Sequence, residues 1–186
     1  MSGGHGGGGG SNKRVALLIS VLALFLALAE TLAKGAQTEA LSANVESSNQ
    51  WAYFQARTIR GTILKTADET LALLPPDAAN SEAIKAKRAE WAKTMARWES
   101  EPATGEGRKE LSEKARHAQE VRDKALHRYH HYEFGSAAFQ IGIVLASAEV
   151  ITGISALVFG GALLGLAGLA MLGFGLYAPD VLPFFH

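Results

Sequence analysis

The chain has 186 residues, 48% of them hydrophobic, and 18 basic side chains balance 18 acidic ones for a formal net charge of zero. That balance offers neither the basic excess of a nucleic-acid binder nor the acidic excess of a solvating tail. With no cysteine in the chain, disulfides and thiolate metal sites are excluded, while the redox compartment stays open.

The apolar residues are gathered into blocks rather than spread periodically, which points to a membrane protein. Residues 1–12, MSGGHGGGGGSN, read as a flexible Gly/Ser tail that buries nothing, with His5 solvated rather than a ligand. The first block runs from Val15 to Ala33, broken only by Glu30 and held between Lys13-Arg14 and Lys34. Its length suits one helical span, assigned to residues 13–34. A signal peptide is the competing reading. The block exceeds an h-region and continues directly into helix-compatible sequence, which favours a retained span.

No proline follows Lys13 until Pro75, so a single helix is expected to run on through residues 35–74 and leave the bilayer partway. Its outer half carries Ala52, Ala56, Ile59, Ile63, Ala67, Thr70 and Leu74 at four-three spacing, the pattern of helix pairing. The paired prolines of LLPPDAANSE stop it, and Asn80 or Ser81 can cap a second helix over residues 81–101. There Ile84, Trp91, Met95 and Trp98 share one face, read as core rather than a cofactor box.

EPATGEG is the next turn, and a third helix over residues 108–133 carries Leu111, Ala115, Ala118, Ala125, Tyr129 and Tyr132, interrupted by Arg122. Nothing breaks it before the second apolar region, where Glu149 is the single formal charge between Phe134 and Pro179. This helix therefore enters the second span, residues 134–152, without a joint. A turn at Thr152 to Ser155 leads to the third span, residues 156–178, and a tail of residues 179–186. The expected fold class is all-α: three transmembrane helices, with a long helical hairpin or coiled-coil stalk, residues 35–133, outside the membrane.

In the last span Gly161, Gly165, Gly168 and Gly175 fall on one helical face, and Gly142 lies in the span before it. Small residues let backbones approach where lipid gives no hydrophobic drive, so these positions predict a close-packed interface, either inside the chain or between copies. Glu149 lies about 22 Å beyond Phe134 in a core of about 30 Å. Helical phase groups it with Ala138, Gly142 and Gly153, opposite Gln140 and Ser147, which aims it at the helix contact. Arg14 is its candidate ion-pair partner, and Glu30 has Lys34 four residues on. Two roles stay open for a membrane-buried acid: a structural group, or part of an ion or proton path.

Among polar motifs, RDKALHRYHHYEF is the most prominent: Asp123, His127 and His131 recur at i,i+4, a spacing able to hold a divalent ion. Neither HExxH nor paired ExxH accompanies it. An interfacial belt of Tyr129, Tyr132, Phe134 and the histidines explains the same residues and leaves this metal set a weak candidate. No nucleophile with its base and no phosphate-cradling loop is present, so neither an enzyme nor a cofactor is expected. Topology is argued both ways. Lys34, Arg116, Arg122, Lys124 and Arg128 outnumber Lys13 and Arg14, yet the stalk is long enough for charge to lose control and for the first helix to place it outside.

Two stretches, NKRVALLISVLALFLALAETLAKGAQTEALSANVESSNQWAYFQARTIR and YHHYEFGSAAFQIGIVLASAEVITG, resemble a bacterial membrane-protein family catalogued as domain of unknown function 4337. The resemblance implies an inner-membrane protein of three spans with a helical insert, and it supplies no activity, cofactor or catalytic residue. The functional expectation is a self-associating scaffold or an accessory subunit of a membrane complex, multi-pass in the bacterial inner membrane. Its partners would be the bilayer, further copies and other membrane proteins, not nucleic acid. The alternative is an oligomeric ion channel or proton-coupled transporter using Glu149, with an enzyme at the Asp123, His127 and His131 face a distant third.

Overall fold

A computed structural model describes residues 9–75, 77 and 81–181 of the chain. The tail with His5 and the candidate cap Asn80 lie outside the described residues. Four helices and no strand are found among the described residues: α1, Gly9–Ala72; α2, Glu82–Glu99; α3, Arg108–Thr152; and α4, Ala156–Tyr177. Helices α1, α3 and α4 are long and apolar enough to cross a membrane.

The boundaries follow from local chemistry. Helix α1 begins at Gly9, so residues 9–12 belong to it and not to the tail. Each residue added to an existing helix gains a backbone hydrogen bond, which outweighs the poor propensity of glycine once the apolar block has nucleated it. Ser20, Thr31 and Thr38 donate their hydroxyls to carbonyls four residues back, so these polar residues enter the helix without orphan donors. The helix tightens at its end, with Leu73 N–H on Thr70 O and Leu74 N–H on Leu71 O, before Pro75. Ser81 accepts the Ile84 N–H and caps α2. Helix α3 passes from charged to apolar sequence without a break. It stops where Gly153, at φ +70°, returns its N–H to Glu149 O at 2.7 Å.

The chain divides into two compact units, and α1 and α3 contribute to both. The first holds the described residues up to Leu41 and from Arg122 onward. Its core is Leu22, Ala29, Ala33, Ala36, Tyr132, Phe139 and Leu172, with the Phe25 and Phe139 rings stacked at 5.9 Å. On α1 the buried positions Val15, Leu22, Ala29 and Ala36 recur every seven residues, as do Ala125, Tyr132, Phe139 and Ala146 on α3. Large apolar side chains such as Leu24, Val144, Phe159 and Leu163 point outward, while alanine and glycine fill the seams. Small residues inside and large ones outside suit a unit whose solvent is lipid.

The second unit, Ser42–Val121, packs the outer part of α1 against α2 and the first turns of α3. Ala43, Ser47, Leu111, Ala115 and Ala118 are buried, and Ile84, Trp91, Met95 and Trp98 of α2 are half-buried on one face. The α1 stripe expected there is displaced: Ile59 and Ile63 are exposed, and the inward side chains are Trp51, Phe54 and Leu64 with Asp68. Within this unit the inward positions run Ala43, Ser47, Trp51, Phe54, Thr58 and Gly61 at four-three spacing, which turns the isoleucines away from the neighbouring helices.

Arg88 occupies the gap between Ile84 and Trp91 and clamps Asp68, donating from Nε at 2.6 Å and from a terminal nitrogen at 3.1 Å. Those hydrogen bonds hold the Asp68 carboxyl below the ordinary carboxylate range. A depressed folded-state pKa stabilises the fold above the unfolded value and is lost as pH falls through the folded one. Asp68→Asn is therefore expected to lower the melting temperature at neutral pH and to narrow its gap to the parent chain as pH falls to about 3. A gap that thermal unfolding shows to be the same at both pH values would remove this pair from the stability of the unit.

Candidate functional site

The functional candidate is the seam of the first unit, where α1, α3 and α4 meet. Gly142 of α3 and Gly161 of α4 bring two backbones together: a Cβ built on Gly161 would lie 2.7 Å from Gly142 O, and one on Gly142 would lie 3.0 Å from Gly161 O. A Cβ on Gly165 would meet Leu22 at 2.5 Å, on Gly168 the Phe139 ring at 2.7 Å, and on Gly175 the Tyr132 ring at 2.5 Å. Gly161, Gly165, Gly168 and Gly175 are all buried. Of the two packing partners the sequence leaves open, the structure places this face against helices of the same chain.

Glu149 extends the seam toward the end of α3. It is 7% exposed, on the face of Phe139, Gly142 and Ala146, and its Oε2 has no hydrogen-bond partner. Phe139, Gly142, Ala146 and Glu149 are buried at three-four-three spacing, whereas Ala138 is half-buried and Gly153 exposed. Leu22 packs on Gly142, and the antiparallel course of α1 and α3 then brings the buried Val15 to the level of Glu149.

Val15 also explains why Arg14 is no partner for Glu149. With Val15 turned inward, the preceding residue is rotated about 100° away, and Arg14 is exposed. Glu30 and Lys34 are likewise exposed because Ala29 and Ala33 hold the inward positions beside them. Ion pairs of this unit join Arg128 to Glu39 at 3.0 Å, His127 to Asp180 at 3.0 Å, Arg122 to Asp123 at 2.8 Å and His130 to Glu133 at 3.8 Å. The expected pairs of Arg14 with Glu149 and of Lys34 with Glu30 are not formed among the described residues.

The polar face of α3 is dispersed in the same way. Asp123 bonds Arg122, His127 Nδ1 meets Asp180 Oδ1, and the fully buried His131 places Nε2 3.0 Å from Pro179 O. Among the described residues no group of three His, Asp or Glu side chains is placed to hold a metal ion. His127 and His131 instead fasten the end of α4 to α3. The aromatic belt divides as well: Phe134 faces outward, Tyr132 packs on Gly175, and the half-buried Tyr129 donates to Glu133 Oε1 at 3.2 Å. Pro179 and Asp180, in the segment read as a tail, are residues the sequence reading missed. Their only signal was a carbonyl and a carboxylate directly behind an apolar span.

The close approach has a direct test. Gly161→Ala places a methyl against a backbone oxygen that no side-chain rotation can clear, and is expected to destabilise the bundle by about 1–3 kcal/mol. Gly173→Ala, with nothing within 4 Å of its Cβ, is expected to hold or slightly raise stability through helix propensity. Thermal unfolding in detergent compares the two, and equal melting temperatures would sink the idea of a backbone-to-backbone seam.

Compared with known proteins, residues 11–178 match the family described as Domain of unknown function (DUF4337), and the chain belongs to that family. No curated protein and no solved structure matches it.

Proposed function

We propose that this member of the family is a self-associating scaffold or accessory subunit of a membrane complex, multi-pass in the bacterial inner membrane, with residues 35–133 as a coiled-coil element outside the bilayer. The observation that carries this reading is closure of the seam. At the level of Leu22 the three helices touch through Gly142, Gly161 and Gly165, so an ion or proton moving along the interior of one chain would meet packed backbone about 10 Å of helix rise from Glu149. The internal use of the glycine face also leaves the outward faces of the helices for lipid and for partners.

An oligomeric channel or proton-coupled transporter is the second reading, and Glu149 favours it: a carboxylate oxygen buried without a hydrogen-bond partner in a membrane span is a functional candidate by default. Glu149→Gln in proteoliposomes separates the two. For a scaffold, proton flux stays at background in both proteins, and native mass spectrometry of the complex from its own membrane gives the same composition. Flux through the parent chain that vanishes in the glutamine variant would establish the transporter instead.

Topology has its own readout, since the chain lacks cysteine and Thr104 is exposed in the turn between α2 and α3. Thr104→Cys is expected to react with an impermeant maleimide added outside intact cells. Protection there, with labelling after lysis, would put residues 35–133 in the cytoplasm.

A further inference from the structure

In the second unit α1 carries a second stripe, exposed at every position but the half-buried Ala56. The register starts at Ser42 and continues through Val45, Asn49, Ala52, Ala56, Ile59, Ile63 and Thr66 to Thr70 in alternating steps of three and four. Val45, Ile59 and Ile63 are 59%, 60% and 61% exposed. The charges of this stretch, Glu46, Arg57, Arg60, Lys65, Asp68 and Glu69, all fall off the register. An uncharged three-four register on a stretch of helix whose six charges all lie elsewhere, beyond the apolar block that lipid can cover, is the pattern of a helix that pairs.

We propose that this stripe is where a second copy of the chain docks, α1 against α1, parallel and in register. The inference rests on the reading of the protein as self-associating and names the surface that does it. Three features select a second copy. First, two chains inserted with the same topology point their α1 helices the same way, so a two-fold axis along the membrane normal makes the pair parallel and sets each stripe against its identical counterpart. Second, the flanking residues tolerate that arrangement. Across a parallel pair Ser48 meets Tyr53, Gln55 meets Arg60 and Thr62 meets Ala67 of the other copy, so no like charges oppose one another. Third, Asn49 sits at the core position shared by Ala56 and Ile63, where a single asparagine favours two strands and one register by bonding its own counterpart.

Because the chain has no cysteine, the surface can be mapped in the full-length protein in native membranes. Single cysteines replacing Asn49 or Ile59 are expected to give a disulfide-linked dimer on mild copper-phenanthroline oxidation, and one replacing Lys65, off the register, is not. Ile59→Glu with Ile63→Glu is expected to cut the dimer fraction by about tenfold or more, with the helical circular dichroism of the parent. Absence of cross-links at positions 49 and 59, in a protein that native mass spectrometry shows to be a homo-oligomer, would overturn this surface and leave self-association standing. A monomer in both assays would overturn both, and cross-linking at position 59 to a foreign chain would replace the second copy with that partner.

Discussion

The structure depends on how closely two backbones approach at Gly142 and Gly161. Inside lipid the apolar side chains gain nothing by leaving one apolar medium for another, so helices hold together through dispersion and fit. A carbonyl standing where a Cβ would otherwise lie is the limit of that fit, and here it occurs in both directions between α3 and α4. Leu22 then closes the third side by filling the notch at Gly165 and touching Gly142. The larger residues of the same face, Phe139 and Tyr132, reach over Gly168 and Gly175. Each glycine is thereby matched to a specific neighbour.

From that seam the phase of α1 and α3 is set. In the first unit Leu22, Ala29 and Ala36 keep one azimuth over two heptads of α1. A straight α-helix drifts relative to a seven-residue repeat, and holding the repeat commits the helix to one continuous packed face. Within the second unit, Ile59 and Ile63 are apolar but off the inward face of α1, and Asp68 is charged but on it and acquires Arg88 as its partner.

Much of the fold was legible in the sequence because its signals are large: apolar blocks of spanning length, paired prolines at Pro75, the turn before Arg108, and a glycine face in the last span. What failed was azimuth. Ile59 and Ile63 are conspicuous on a hydrophobicity reading, whereas Ala36, Ala43 and Ser47 are not, yet small residues mark the contact in this molecule. The same error of direction misassigned Arg14 and Lys34, which stand next to inward-facing residues but are turned away. The contacts of the histidines were hidden for a different reason. His127 and His131 share a face at i,i+4, but their partners, Asp180 and Pro179, come from the far end of the chain, and one-dimensional spacing carries no information about that.

Glu149 is the residue where the two functional readings part, and its depth decides how much it costs to keep. It stands three residues before the end of α3, about 4.5 Å of helix rise from Thr152. A carboxyl so near the helix end is far less expensive than one at the bilayer midplane, since water and headgroups lie within reach of small motions. Its immediate surroundings are nonetheless closed, with Ala146 wholly buried one turn away and Val15 on the facing helix. A group at the rim of a sealed seam can anchor a helix end or meet a polar group of another subunit, whereas conduction along the bundle requires the packed level at Leu22 to open. That step would separate Gly142 from Gly161 and give up the contact on which the rest of the bundle depends.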